Sequence, residues 1–260
     1  MTDVDIGWWG LAASLLLVVV VVAVSSARRL RLEADLVVAT VRAVGQLVLA
    51  GWALTLLLDD DVSIAWAWLW VAAMVPAAAW SARRREPRLP GLFLTTTVGY
   101  TLGLAASLAV VFGLDVLPIE ARVLVPISGM VVGNSLKVVV VAATRVVDGF
   151  RDRAGEVEAL LALGFDRRRA AREVTGDALR LAIRPQVEVT RSVGMVFLPG
   201  ALTGMILAGV DPLDAALVQA AILFLILGSA AVTGLVVVLG AARRFLTADQ
   251  RLVSPTPAPD

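Results

Sequence analysis

Residues 6–24 read I-G-W-W-G-L-A-A-S-L-L-L-V-V-V-V-V-A-V, a run without a single charge. At 1.5 Å per residue an α-helix of this length covers about 28 Å, close to the thickness of a bilayer's hydrocarbon core. Six further apolar stretches follow: Leu36–Leu58, Ile64–Trp80, Leu92–Leu114, Val123–Val147, Val187–Val210 and Ala215–Leu239. Ile64–Trp80 is the shortest and needs its flanks in order to span. The expected fold is therefore all-α and polytopic, with seven transmembrane helices. Composition agrees: 59% of the 260 residues are hydrophobic and 17% charged, with mean hydropathy +0.86. A soluble domain carries about 45–50% apolar and roughly 25% charged residues.

The junctions between the stretches alternate in sign. Arg28, Arg29 and Arg31 follow the first, Asp59, Asp60 and Asp61 the second, and Arg83, Arg84, Arg85 and Arg88 the third. Asp115 and Glu120 flank the turn after the fourth. A long basic segment follows the fifth, Asp211 and Asp214 the sixth, and Arg243 and Arg244 the seventh. Lys and Arg collect in cytoplasmic loops, so the N terminus is expected outside and the C terminus inside. Trp8, Trp9, Trp66, Trp68 and Trp70 fall near the outer ends and Trp80 near an inner one, as an interfacial belt requires, although lipid-facing side chains would give much the same pattern. Asp3 and Asp5 precede the first stretch and its arginines follow it, which suits a retained anchor better than a cleaved leader. One membrane domain over residues 1–250 is expected, with 251–260 as a disordered tail carrying Pro255, Pro257 and Pro259.

The chain contains no Cys and no His. That excludes a disulfide framework, thiolate and imidazole catalysis, and HExxH zinc sites. Lys137 is the only lysine and Leu136 precedes it, so no G-x-x-x-x-G-K-S/T phosphate loop exists. Any ATP-driven activity must borrow its nucleotide site from another polypeptide. No G-x-S-x-G elbow and no paired carboxylates lie within the apolar stretches, which leaves a membrane enzyme little to work with.

One connection is long. Asp148–Pro185 mixes Arg151, Arg153, Arg167, Arg168, Arg169, Arg172, Arg180 and Arg184 with seven acidic residues. It reads as two helices on the cytoplasmic side. The first, around Arg153–Leu163, stops at Gly164, which tolerates positive φ. Asp166 caps the second, and Pro185 breaks it or kinks it into the sixth span. On the second helix Ala171, Val174, Ala178 and Leu181 form an apolar stripe under a basic face. Such a helix either lies on anionic lipid or docks a cytoplasmic partner.

Glu158-Ala159-Leu160-Leu161-Ala162-Leu163-Gly164 resembles the E-A-A-x-x-L-G core of the cytoplasmic loop of ABC-transporter permeases. It departs from the importer pattern, in which a proline follows about ten residues after the glycine; here Pro185 comes later. Four further blocks extend the resemblance over nearly the whole chain: Arg42–Leu47 (R-A-V-G-Q-L), Pro126–Asn134 (P-I-S-G-M-V-V-G-N), Val193–Gly200 (V-G-M-V-F-L-P-G), and Gly204 through Ala208–Pro212 (A-G-V-D-P). Together they resemble the FetB-type permease family, the membrane subunit of an iron-export ABC transporter, with related plant proteins linked to aluminium tolerance. The resemblance implies that Glu158, Ala159, Leu163 and Gly164 couple the chain to an ATPase.

Gly129-x-x-x-Gly133 and Gly200-x-x-x-Gly204 place small residues on one helix face, which suits close backbone approach in a membrane. Gly129, Gly200 and Gly204 are therefore helix-packing candidates. A translocation path along the fifth and sixth stretches would be lined by Met130, Gly133, Asn134, Ser135, Met195 and Pro199. Polar groups inside hydrocarbon cost free energy, which makes Arg42, Gln46, Lys137, Glu188 and Arg191 the buried polar candidates. Arg42, Glu188 and Arg191 sit near inner ends, where they snorkel or pair.

The resemblance implies a multi-pass permease in the inner or plasma membrane, working as a homodimer in the lipid bilayer with a cytoplasmic ABC ATPase. No cofactor belongs to this chain, ATP and Mg belong to the ATPase, and nucleic acid is not a partner. The expected function is outward movement of a small solute, a metal ion such as iron or a metal complex. The alternative is a stand-alone secondary carrier or channel, but no repeated halves and no mid-depth carboxylate support it. A chain without imidazole or thiolate leaves three options: the metal travels as a complex, it is held by Met, Asn and carbonyl oxygens, or the substrate is not a metal.

Overall fold

Hydrogen bonding decides the architecture: in hydrocarbon a segment must satisfy its own backbone groups, and a helix does so internally. The computed structural model describes residues 7–59, 61–247, 249 and 251–253. It is all-helical, and the described residues contain isolated bridges but no strand. The helices are α1 (Gly7–Arg28), α2 (Glu33–Leu57), α3 (Ile64–Arg85), α4 (Leu92–Gly113), α5 (Ala121–Asp152), α6 (Ala154–Ala162), α7 (Arg167–Ala170), α8 (Arg172–Ser192), α9 (Gly200–Leu207) and α10 (Pro212–Phe245). Among the described residues, α2, α3, α4, α5 and α10 are long and apolar enough to cross a membrane. The chain is a multi-pass membrane protein. Ile6, Asp60 and the prolines of Ser254–Asp260 lie outside the described residues, as does the side chain of Trp8.

The chain forms two compact units, residues 1–62 and residues 63–260. In the first, α1 packs on α2. Their connection is pinned by the buried Ser25 hydroxyl, which donates to Glu33 Oε1 at 3.0 Å and accepts from the Leu32 amide at 3.2 Å.

In the second unit α10 packs against α4, α5 and α8, and α5 also packs against α3 and α8. Ser63 caps α3, which runs past Trp80 to Arg85, so the flanks do supply the missing length. Asp211 caps α10 by accepting from the amides of Leu213 (2.9 Å) and Asp214 (3.4 Å), with Pro212 in the first turn, where its missing N–H is harmless. The helices α5 and α10 contain 32 and 34 residues. At about 48–51 Å they exceed the hydrocarbon core by several turns. Their overhanging ends meet through stacked Phe150 and Phe245 rings, 5.1 Å apart.

The stretch Val187–Val210 does not form the single helix expected. Helix α8 starts at Arg172, runs through Pro185, and ends at Ser192; the chain then leaves helical geometry until Gly200. Gly194 takes φ +90°, and Pro199, which has no amide hydrogen, stands at the start of α9. Pro185 thus does not break the helix, which runs on past it to Ser192. The apolar stripe on α8 is also corrected. Ala171, Val174, Ala178 and Ala182 are buried, while Leu181 is 43% exposed. The stripe packs inside the chain against α5 and α10, so it is core rather than a lipid or partner face. Beyond α10, Leu252 bridges Leu246, and the Val253 amide donates to the Phe245 carbonyl at 2.8 Å.

Candidate functional site

Helix α5 has two unlike faces. Leu124, Val131, Ser135, Val139, Ala142 and Val146 are buried in the bundle. The opposite face, at i, i+4 and i, i+3 spacing, carries Arg122, Pro126, Gly133, Lys137 and Arg145, all exposed within the chain, with Met130 and Asn134 half-buried beside them. Of the expected path residues, Met130, Gly133 and Asn134 therefore share one open face. Asn134 is held there by its own helix, Nδ2 donating to the Met130 carbonyl at 2.8 Å. Ser135 points the other way; it is fully buried and donates to the Val131 carbonyl at 2.8 Å.

Met195 is 89% exposed, in the non-helical link between α8 and α9, whereas Pro199 is buried. Within that link the Gly194 amide donates to the Phe197 carbonyl at 3.0 Å and the Val196 amide to the Ser192 carbonyl at 3.0 Å. Irregular backbone of this kind survives at membrane depth only where protein or water covers it. The link leaves irregular backbone, and the open face of α5 leaves charged side chains, that hydrocarbon could not satisfy.

None of the five candidate buried polar residues is buried within the chain. Arg42 and Gln46 are exposed on α2 and Lys137 is exposed on α5. Glu188 and Arg191 are exposed and pair with each other at 3.3 Å, as their spacing suggested. Nor are the candidate packing glycines close contacts. A Cβ added at Gly133, Gly200 or Gly204 would meet nothing within 4 Å, and one at Gly129 would meet only Met74 Cε at 3.8 Å. The close approach lies elsewhere, between α4 and α10. A Cβ at Gly103 would fall 2.9 Å from the Ser229 carbonyl oxygen, and one at Gly99 3.2 Å from that of Thr233. The Thr233 hydroxyl donates to the Gly99 carbonyl at 3.2 Å across the same interface. Gly99-x-x-x-Gly103 obeys the spacing rule applied to the other pairs, so the signal was present in the sequence.

At the basic end, α6 ends in a tight reversal. The Phe165 amide donates to the Leu160 carbonyl (3.1 Å) and the Gly164 amide to that of Leu161 (3.0 Å), with Gly164 at φ +86°. This is a Schellman closure, in which glycine avoids the Cβ penalty of the left-handed region. Val157 and Leu161 anchor the helix in the bundle, leaving Glu158, Ala159, Leu163 and Gly164 exposed on its outer side. Asp166 caps α7 by accepting from the Arg169 amide at 2.7 Å.

The sequence reading missed a buried ionic network at this end. Glu86, 2% exposed, lies in the α3–α4 connection. It receives Arg88 Nη2 (2.7 Å) and Nε (2.8 Å) as a fork, together with the Thr144 hydroxyl (2.8 Å). Arg88 Nη1 reaches Asp148 at 3.0 Å and so ties the connection to α5. Burial pushes the Glu86 carboxyl up, but the bonds from Arg88 and Thr144 pull it further down, below its ordinary value. The guanidinium of Arg88 is held above its ordinary value by Glu86 and Asp148 against the opposing effect of burial. In the sequence these residues look like one more basic junction; only the fold brings Asp148 and Thr144 to them.

Residues 8–246 match the family described as "Uncharacterised protein family (UPF0014)". The chain belongs to that family. This UPF0014 chain aligns along most of its length with named relatives. It is 29% identical over 247 residues, 94% of this chain and 93% of the relative, to the Escherichia coli "Probable iron export permease protein FetB". It is 30% identical over 210 residues, 81% of this chain and 84% of the relative, to the Bacillus subtilis "UPF0014 membrane protein YjkA". A third relative is "Protein ALUMINUM SENSITIVE 3" of Arabidopsis thaliana, 30% identical over 224 residues, 86% of this chain and 82% of the relative. No solved structure matches this UPF0014 chain significantly.

Proposed function

We propose that this chain is the membrane subunit of an ABC transporter. Two copies pair in the inner or plasma membrane, bind two copies of a cytoplasmic ATPase that carries ATP and Mg, and move a small solute outward. The solute class is a metal ion such as iron, or a metal complex. The observation that carries this reading is the alignment with the Escherichia coli relative, which spans almost the whole of both chains.

Three features of the chain support it. It has no phosphate loop of its own, so energy from ATP must come from another polypeptide. Exposed α6, fixed by the Gly164 reversal, is a compact surface for that polypeptide to grip. The open face of α5 and the link between α8 and α9 need cover, which a second copy and an aqueous path would supply. In this reading the chain crosses seven times, N-out and C-in, with α8 and α9 together forming the sixth crossing. The path is lined by Met130, Gly133, Asn134 and Met195.

The test is reconstitution with a P-loop ATPase that copurifies with the chain. Hydrolysis and export are screened over free and chelated metal ions. Stimulation by at least one of them is expected. Full transport by the chain alone in ATP-free vesicles would overturn the reading.

A further inference from the structure

A second cleft opens at the basic end, apart from the α5 face and from the exposed side of α6. It has a volume of about 810 Å³ and lies between the start of α8 and the end of α10. Arg167, Arg168, Arg172 and Arg243 line it, and no carboxylate does. Glu173, the nearest acid along α8, turns instead toward Arg153, 3.8 Å away. The side chains of Arg168, Arg172 and Arg243 make no hydrogen bond or ion pair among the described residues, while that of Arg167 donates to the Thr247 carbonyl at 3.3 Å. Four arginines line one concave site in which no acidic side chain among the described residues neutralises them.

The floor of the cleft is apolar and continues into the membrane. Leu246 is buried in it and Leu239 lines it. Leu239 stands one helical turn before Arg243, and Leu235 one turn earlier again; they are 46% and 44% exposed on α10. An exposed apolar track therefore leads along a membrane-spanning helix directly to the arginines. Guanidinium groups recognise phosphate oxygens as forks of N–H donors. Water-soluble phosphate has no use for the apolar approach, whereas a phospholipid would lay an acyl chain on it.

We propose that this cleft binds the phosphate headgroup of an anionic phospholipid, with Arg172 and Arg243 as the principal contacts and Leu235 and Leu239 guiding the acyl chain. The proposal does not depend on what the chain transports or on its ATPase, and it is tested on the chain alone.

The full-length protein is purified in detergent and titrated with phosphatidylglycerol, phosphatidylcholine or inorganic phosphate, and bound lipid is counted by native mass spectrometry. Phosphatidylglycerol should be retained and phosphatidylcholine should not. Arg172→Gln combined with Arg243→Gln should weaken retention at least about tenfold, since each basic group near an anionic surface contributes on the order of a severalfold change in affinity. Both side chains are exposed, so the fold should survive. Arg172→Lys with Arg243→Lys, which keeps the charge but loses the fork of donors, should retain the lipid no better than wild type and no worse than the glutamine variant. Wild-type retention by the glutamine variant would overturn the assignment. Displacement of the lipid by millimolar inorganic phosphate would reassign the cleft to a free anion and overturn the lipid.

Discussion

Replacing Arg88 by Met tests the buried network most sharply. Glu86 is 2% exposed and takes three hydrogen bonds, two of them from Arg88 at 2.7 and 2.8 Å. Methionine preserves much of the side-chain volume and removes the charge, so Glu86 keeps only Thr144. Removing one partner of a buried ion pair leaves an uncompensated charge and destabilises by about 3–5 kcal/mol. In a chain of this size that corresponds to a Tm lower by on the order of 10 °C. The second substitution, Glu86→Gln, removes the stranded charge, and the double variant should recover most of the loss. Thermal unfolding of the detergent-solubilised protein, followed by tryptophan fluorescence, measures all three. If Arg88→Met costs less than about 1 kcal/mol, or if adding Glu86→Gln deepens the loss, then Glu86 is not held as an ionised carboxylate by Arg88.

Acidification probes the same carboxyl: held below its ordinary value, it stabilises the fold fully at neutral pH and loses that contribution as pH falls through its folded value, so Tm should drop below about pH 4 and Glu86→Gln should flatten the drop. Gly164→Val places a β-branched residue at φ +86°, where left-handed geometry costs roughly 1–2 kcal/mol or more; it should leave insertion normal yet weaken ATPase association or uncouple hydrolysis from substrate, and unchanged values for both would remove α6 from the coupling contact. Gly133→Leu enters open space within the chain, so Tm and ATPase binding should hold while transport fails; full transport would demote the α5 face to a packing element. Gly103→Val drives atoms into the Ser229 backbone and should lower Tm by several degrees, a result that unaltered unfolding would refute.

The helices were legible because uninterrupted apolar runs admit one solution in a bilayer. Two capping signals were legible for the same local reason: Asp166 and Gly164 need only their neighbours to act. What escaped the reading depends on contacts distant in sequence. Leu181 and Ala182 are both apolar, and only the position of α5 decides that Ala182 is the buried one. Hydropathy could not detect the break after Ser192, because Val193–Leu198 is as apolar as a helix; Gly194 and Pro199 were the signal, and Pro199 was read as a path residue instead. Ser135 adjoins Asn134 in sequence and so was assigned to the same path, yet successive residues on a helix point about 100° apart.

The unequal surroundings of the glycines bear on how this sequence can diverge. A Cβ at Gly103 would fall too close to the backbone of α10 and one at Gly99 would crowd it, so a change at either must be answered by a shift of α10. Gly133, Gly200 and Gly204 have free space around them in the single chain, so nothing in its own folding forbids a larger residue. A library scored once for membrane abundance and once for survival under metal stress would therefore divide the glycines into two groups. The first group would be depleted in both screens. The second would be depleted only under stress, and its members would trace, without any ligand in hand, the surface on which selection for activity acts.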